Sequence, residues 1–205
     1  MQKRAVSSHK VELRCKIQEA AAASFIQEGY DNVSMRKIAD RIGYAPSTIY
    51  LYFRNKFDLV SNICTAVFAE LDQRLDVIVA MGLPPMQTLR RCLRQYVQFG
   101  LEHPSHYGFV FCTPLSVLQE MDAASHEALN KCGSGFYLRL HKVVQACIDS
   151  GDIPAGDAGS VSHTTWLLTH GITSGLFVDR GFRSIERERL VEESLDHILR
   201  GLTGR

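Results

Sequence analysis

The sequence predicts an all-α protein of about nine helices, in which a small N-terminal helix-turn-helix domain precedes a larger helical domain. Three observations favour this fold class. Apolar residues recur at steps of three and four along most of the chain, and no stretch alternates with the period of a strand. Residues 34–53 also have the pattern of two short helices joined by a tight turn. With 205 residues, 45% of them hydrophobic, the chain can bury a sizeable core.

The first helix of residues 34–53 has one apolar and one charged side. Ser34 is suited to cap its N-terminus, and Gly43 supplies the positive φ that the turn requires. The apolar side consists of Met35, Ile38, Ala39 and Ile42, and the charged side of Arg36, Lys37, Asp40 and Arg41. These features predict a helix over about 34–42.

The second helix, roughly 45–52, has Pro46 in its first turn and buries Ile49 and Phe53. Its outer side carries hydroxyl groups flanked by cations, which suits phosphates and base edges and predicts double-stranded DNA as the partner. A solvated surface hairpin is the alternative. The predicted DNA contacts are Arg36, Ser47 and Thr48 to base edges, and Tyr50, Tyr52 and Lys56 to phosphates.

The charge of the chain is unevenly distributed although its formal net value is only +1. Residues 1–60 contain ten lysines and arginines against six acidic residues, whereas residues 61–205 contain thirteen against sixteen. The basic excess therefore coincides with the predicted helix-turn-helix, as an interface with DNA requires.

Cysteine usage and the polar N-terminus indicate a reduced, cytoplasmic protein. The six cysteines are widely spaced without a C-x-x-C pair, which favours buried, reduced thiols. The N-terminus lacks the apolar core of a signal peptide. The most apolar stretch, residues 166–178, is too short to span a bilayer, so no membrane partner is predicted.

The domain organisation follows from the helices and from their breaks. Residues 1–10 are predicted to be a loose basic arm, which either contacts DNA or has no function. Residues 11–71 form the helix-turn-helix domain, and Gly82 to Pro85 is a linker before the second domain at 82–205. The expected helices are 10–28, 34–42, 45–52, 54–81, 86–103, 105–113, 123–149, 157–180 and 185–202.

No catalytic chemistry or metal site is predicted. The sequence contains no paired acids, glycine-rich phosphate loop or nucleophile-base spacing, so an enzyme is the weaker alternative, and no cofactor is expected. His103, His106 and Cys112 lack specific metal-ligand spacing. We expect Cys112 to be buried and inert.

The N-terminal motif resembles the TetR family of bacterial transcriptional repressors. The resemblance depends on Ile38-Ala39, Gly43, Thr48-Ile49-Tyr50, Tyr52-Phe53 and Lys56 followed by Leu59. Ala45 departs from the pattern, because the family more often has a capping Ser or Thr there. Near the C-terminus, Trp166 followed by His170-Gly171 resembles the Trp-His-Gly (WHG) type of C-terminal domain, as does Glu102-His103-Pro104.

The resemblance implies a cytoplasmic homodimer that represses transcription at a palindromic operator and is released by a small-molecule effector. Activation is the alternative, and a helical small-molecule-binding protein or an enzyme without operator recognition is a weaker one. Helices eight and nine are the expected dimerisation pair, with apolar area from leucines such as Leu167, Leu168, Leu195 and Leu199. Gly171 and Gly175 would allow close helix approach there. Alternatively, these glycines admit a neighbouring helix of the same subunit.

Aromatic side chains of the second domain are the candidates for an effector pocket. Rings with few polar groups suit a largely apolar ligand. The predicted ligand contacts are Tyr96, Phe99, Tyr107, Phe111, Phe136, Tyr137, Trp166 and His170, with Met121 and Leu140 as further candidates. The alternative for each is an ordinary core position.

Overall fold

The computed structural model describes residues 2–112, 123–178 and 185–204. These residues form nine helices and no strand, which confirms the predicted all-α class. The helices are α1 (Gln2–Glu28), α2 (Met35–Ile42), α3 (Pro46–Tyr50), α4 (Lys56–Ala80), α5 (Pro85–Glu102), α6 (Pro104–Cys112), α7 (Ala123–Asp149), α8 (Ala158–Val178) and α9 (Arg187–Thr203). None of the helices in the described ranges is long and apolar enough to cross a membrane.

The largest difference from the expected helices is at the N-terminus. Helix α1 begins at Gln2, so the segment predicted to be a loose arm is helical. The segment contains no glycine or proline and is rich in residues with good helix propensity, which explains why the helix extends to its start. Thr113, Met121 and the predicted end of the eighth helix at Arg180 lie outside the described residues.

The chain divides into two compact units. The first contains the described residues up to Val67 together with those between Ser105 and Asn130, and the second contains the remainder. This division differs from the predicted domains at 11–71 and 82–205, because α6 joins the N-terminal unit. The Phe109 ring of α6 lies 4.9 Å from that of Phe25 in α1, within the same buried cluster.

Local capping explains where the helices of the first unit begin and end. The Ser34 hydroxyl accepts a hydrogen bond from the backbone N–H of Lys37, and Gly43 ends α2 with φ 75°. Reciprocal capping starts α4: the Asp58 N–H donates to the Asn55 side chain at 2.8 Å, and the Asp58 carboxylate accepts from the Arg54 N–H.

In the second unit, α5 packs against α8 and α9. Its buried residues include Leu89, Leu93 and Val97. Arginines of α5 also pair with acidic residues of α9: the Arg90 Nη2 lies 2.6 Å from Glu192 Oε2, and Arg94 pairs with the same carboxylate and with Glu188. These partly exposed pairs align the two helices and contribute little stability individually.

Candidate nucleic-acid interface and effector pocket

Helix α3 buries one side and exposes the side that carries the predicted base contacts. Ile49 is fully buried, whereas Ser47 and Tyr50 are exposed and Thr48 is partly exposed. Ala45 precedes the helix without a side-chain hydrogen bond, as its small side chain requires. Pro46 at the first position therefore starts the helix through its restricted φ alone.

The cations of α2 differ in how they are used within the protein. The Lys37 ammonium donates to Glu28 Oε2 at 3.1 Å and to the Asn32 carbonyl at 2.9 Å. Arg41 donates to Ser24 and, at 2.6 Å, to the side-chain oxygen of Gln27. These two cations brace α2 against α1 and the loop that follows it. Arg36 is exposed, and its predicted base contact stays a prediction.

Two predicted phosphate contacts have a structural role. The Lys56 ammonium donates to the carbonyls of Tyr30 and Val33 at 2.7 and 2.9 Å and lies 3.8 Å from the centre of the Tyr30 ring. Tyr52 packs against the core of the first unit. Phosphate binding by either residue remains a prediction, and substituting Lys56 would also remove an anchor of the α1–α2 loop.

Two residues of this region were not predicted from the sequence. Arg14 of α1 donates to the Tyr52 carbonyl and to Asn62, and its guanidinium lies 4.6 Å from the Phe53 ring centre. It thereby holds the chain that follows α3. Leu51 is 79% exposed, although its residue type suggests a core position. Its spacing of four residues from Ser47 is the signal that could have placed it on the outer side.

A small apolar cavity lies among α4, α5, α7 and α8 in the second unit. Its free volume is about 10 Å³, which is room for about one water molecule. The wall is formed by Leu75, Val79, Cys92, Leu93, Tyr96, Phe136, Arg139, Leu140, Val143, Trp166 and Thr169. Burial raises the pKa of the Cys92 thiol to about 12, so this wall residue stays a neutral thiol. A ligand larger than water must displace side chains to enter.

Polar groups at the cavity are few. The buried indole Nε1 of Trp166 has no hydrogen-bond partner among the described residues, although an indole N–H is a donor that usually finds one. The Trp166 ring stacks on His170 with 5.5 Å between centroids, and His170 Nδ1 lies 3.4 Å from the Tyr96 hydroxyl. Burial lowers the pKa of His170, which favours the neutral ring.

Only part of the predicted ligand set lines this cavity. Tyr96, Phe136 and Trp166 do, together with Leu140, and His170 contacts two of them. The other four predicted aromatics have different surroundings. Phe99 packs with His103 and Arg74, Tyr137 donates to the Gly159 carbonyl and contacts His163, and Tyr107 pairs with Phe111 in the first unit.

An open groove of about 530 Å³ adjoins the cavity, and the two share Val79, Arg139 and Val143 as wall residues. Arg139 donates to both carboxylate oxygens of Asp76, at 2.6 and 2.9 Å, and lies 3.0 Å from Asp72. Its guanidinium is therefore neutralised by two carboxylates. The shared wall makes this groove a candidate entrance to the cavity.

Helix α8 buries hydroxyl groups and exposes leucines. Leu167 and Leu168 are exposed, as are Gly171 and Gly175 one and two turns further on. Beyond the backbone of α8 itself, the described residues place no heavy atom within 4 Å of a Cβ added at either glycine. The subunit's own packing does not require these glycines. The buried positions are Ser162, Thr165, Thr169 and Thr173, whose hydroxyls each donate to the carbonyl four residues earlier.

The apolar residues predicted for dimerisation on α9 have another role. Leu195 and Leu199 are buried within the subunit. They face inward because α9 packs against α5 and α8. The exposed apolar area of this helix pair therefore comes chiefly from Leu167 and Leu168 of α8.

The cysteine and histidine predictions have different outcomes. Cys112 is exposed, so the expectation of burial is wrong; its position at the last residue of α6 leaves it uncovered. His103 contacts Glu70 in the second unit, whereas His106 lies 2.7 Å from Glu19 in the first. Over the residues that the structure describes, no three His, Cys, Asp or Glu side chains are grouped to hold a metal ion.

A short helix with exposed hydroxyls, preceded by a helix with an exposed arginine, in a chain that also has a separate helical unit with an apolar cavity, is typical of transcriptional regulators with a helix-turn-helix. Comparison with known proteins specifies the family. A model of bacterial regulatory proteins of the tetR family matches residues 17–63, and a model of tetracyclin repressor-like C-terminal domains matches residues 89–202. The chain belongs to the TetR family of transcriptional regulators. The resemblance seen in the sequence is thus confirmed.

Similar proteins include regulators and solved structures. YhgD of Bacillus subtilis, an HTH-type transcriptional regulator, is 33% identical over 87 residues, which cover 42% of this chain and 46% of YhgD. The fatty acid metabolism regulator protein of Bacillus subtilis is 25% identical over 141 residues, 69% of this chain and 71% of that protein. AibR, solved with isovaleryl coenzyme A and operator DNA, has a TM-score of 0.75 and 16% identity, covering 93% of this chain and 97% of AibR. At that identity the likeness shows the fold alone.

Proposed function

We propose that this regulator is a cytoplasmic homodimeric repressor that binds a near-palindromic operator and is released by a small, largely apolar effector. The observation that carries the proposal is the pairing of an exposed polar face on α3 with a nearly closed apolar cavity in the second unit. Activation at the same operator is the alternative outcome of the same binding.

DNA binding is supported by the groups that α2 and α3 leave exposed. Ser47, Tyr50 and Arg36 can donate hydrogen bonds without giving up an interaction that the fold requires. Arg36 is therefore a better probe of DNA contact than Lys56, whose ammonium holds the α1–α2 loop. We expect Arg36→Ala to weaken operator binding, and a phosphate contact would also lower the salt slope by about one unit.

Dimerisation is supported by the exposed face of α8. Leu167 and Leu168 expose apolar area beside two glycines that the subunit itself leaves open. A second copy of α8 could pack there with close backbone approach, since a two-fold interface uses the same surface of both subunits. A dimer also suits half-sites whose centres lie about 34–36 Å apart.

The effector proposal depends on the cavity and on its unpartnered indole. The wall is apolar apart from a few groups, so the body of the effector is apolar. The Trp166 N–H is available to an acceptor oxygen of the ligand. AibR binds isovaleryl coenzyme A, an acyl thioester with such an oxygen. Short acyl thioesters are therefore suitable first compounds to test.

Release follows from the small size of the empty cavity. An effector must separate α4, α5, α7 and α8, and Leu75 and Val79 of the wall belong to the helix that also contributes Leu59 and Ile63 to the first unit. We propose that displacement of α4 disfavours the DNA-bound conformation. Effector and operator then weaken each other's binding by the same factor.

Selection of bound sequences from random duplex DNA, at two salt concentrations, tests operator binding. We expect enrichment of a near-palindrome, and sedimentation of the complex should give two protein chains per duplex. Enrichment of no sequence, with binding that disappears at the higher salt, would contradict operator recognition. Recovery of a single unpaired half-site would contradict the dimer.

Intrinsic fluorescence tests the effector site directly, because Trp166 is the single tryptophan of the sequence and lines the cavity. We expect an apolar acyl thioester that binds there to change the emission and to reduce operator binding over the same concentration range. A compound that releases DNA without changing the Trp166 emission would place the effector site elsewhere. Trp166→Phe keeps an aromatic ring but removes both the N–H and the emission, so it is followed by operator release, which should require more of the thioester than in the wild type.

A further inference from the structure

A large apolar side chain is exposed at the end of α3, among polar groups. Leu51 directly follows α3 and is 79% exposed, and the neighbouring Tyr50 is 54% exposed. Leu51 has φ −70° and ψ −19°, which are helical angles, so it continues the outer side of α3. Its carbon side chain offers DNA no hydrogen bond.

The position of Leu51 on the helix matches that of a predicted base contact. Ser47 and Leu51 are each two residues from the buried Ile49, and so lie about 160° from it around the helix axis at about 100° per residue. The two side chains therefore share the side of α3 opposite to the core. If Ser47 faces base edges, Leu51 faces them as well.

The chemistry of the major groove identifies the occupant. Among the groups that base pairs present there, the C5-methyl of thymine is the apolar one; the others are donors or acceptors. Two exposed cations lie in the segments next to α3 in the chain: Arg36 of α2, and Arg54, whose side chain is 84% exposed although it pairs with Asp58 at 3.4 Å. They favour the polyanion DNA over an apolar protein partner. A leucine in this position can pack against a methyl group. Opposite a base donor or acceptor, it would leave that group without a hydrogen-bond partner.

We propose that Leu51 is a specificity-determining residue that contacts the C5-methyl group of a thymine in each operator half-site. The inference rests on the proposed operator binding and extends it to a base that the hydroxyl residues do not identify. Leu51 then favours thymine at one position and disfavours cytosine, which has no methyl group there.

The test uses the full-length protein and the operator recovered by selection. Each thymine is replaced in turn by deoxyuridine, which removes only the methyl group. We expect one position per half-site at which the replacement weakens binding about fourfold, and about fifteenfold when both half-sites are changed. In Leu51→Ala the same replacements should change binding by less than about twofold.

Controls separate methyl contact from other effects. Val77→Ala alters an aliphatic side chain that is 57% exposed in the second unit, and it should keep the full deoxyuridine effect. Thermal unfolding of Leu51→Ala should match the wild type, since so exposed a side chain adds little to the core.

The outcomes distinguish this inference from the proposal on which it rests. If deoxyuridine weakens binding equally in wild type and Leu51→Ala, the methyl group acts through DNA shape or another residue, and the inference is wrong. If deoxyuridine at every thymine position leaves binding by the wild type unchanged, the inference is also wrong, while operator binding itself still stands. Enrichment of no operator would overturn operator binding itself, and the inference with it.

Discussion

Helices α2 and α8 distribute their side chains in opposite ways. Helix α2 buries Met35, Ile38 and Ala39 and exposes charged residues, whereas α8 buries a row of hydroxyl groups and exposes Leu167 and Leu168. The hydroxyls of α8 are satisfied by the carbonyls of their own helix, so they can be buried without partners from elsewhere.

This difference indicates two kinds of partner. A surface that binds DNA reversibly must also be stable in water when it is free, and charged or hydroxyl side chains meet both conditions. Exposing an apolar surface to water costs free energy, so such a surface suits a partner that stays bound. We therefore expect the α8 surface to be covered by a second subunit in solution, and the α3 surface to be covered only at the operator.

Leu167→Glu should have the largest effect of the substitutions considered, on the affinity of the dimer. In a symmetric dimer the substitution places two carboxylates in the proposed interface, so we expect the dissociation constant to rise by about 10³-fold or more. Sedimentation velocity over a range of concentrations measures the change. Val77→Glu, at a side chain with the same 57% exposure, is the matched control and should remain dimeric. A Leu167→Glu protein that stays dimeric would contradict the α8 interface.

Ile38→Ala and Thr173→Val compare the buried side of α2 with the buried side of α8. Ile38 is fully buried in α2, and we expect its truncation to lower the free energy of unfolding by about 2–5 kcal/mol. Thr173→Val preserves the volume and leaves the Thr169 carbonyl bonded within the helix, so the change should be within about 1 kcal/mol. Urea denaturation measures both. A larger loss for Thr173→Val would show that the buried hydroxyls do more than fill space.

Gly171→Ala should change the stability of the helix and the affinity of the dimer in opposite directions. Alanine in a helix interior normally stabilises a helix by about 1 kcal/mol relative to glycine. At a closely packed interface the added methyl groups should instead weaken the dimer, by about tenfold. The two quantities are measured by sedimentation and by denaturation at fixed protein concentration. An unchanged or tighter dimer of higher stability would show that no second helix approaches Gly171.

The pH dependence of stability should show the smallest effect. Burial lowers the pKa of His170 in the folded protein below its ordinary value of 6.5. The unfolded chain therefore binds a proton that the folded protein resists, so stability is complete above about pH 6.5 and falls as the pH decreases below that value. In His170→Gln this part of the decrease should be absent. Parallel stability curves between pH 7.5 and 5.5 for the two proteins would contradict it.

Prediction from sequence succeeded where a pattern is local. Ser34 and Gly43 cap α2 as expected, because each cap involves atoms within about one helical turn. Ala45 likewise lacks the side-chain cap that its type cannot make. The start of α1 at Gln2 was missed because polar helix formers without an apolar stripe resemble a loose arm.

The lining of the proposed effector cavity was harder to predict than the helix-turn-helix. Eight aromatic or histidine positions fit the helical period equally well, yet only Tyr96, Phe136 and Trp166 line the cavity. Helical spacing tells which side of a helix a residue occupies, and it does not tell which neighbouring helix that side meets. Tyr107 illustrates this limit, because α6 joins the first unit rather than the second.

The amino-acid sequence by itself determined the all-α class, the helix-turn-helix with its turn at Gly43, the concentration of positive charge at that motif and the family. Each of these depends on residue types at fixed short spacings. Only the tertiary structure decided that Lys56 holds a loop, that Leu51 is exposed, that the cavity retains about 10 Å³, and that α8 exposes leucines and covers threonines. These properties depend on which distant segments come into contact, and a periodic pattern does not contain that information.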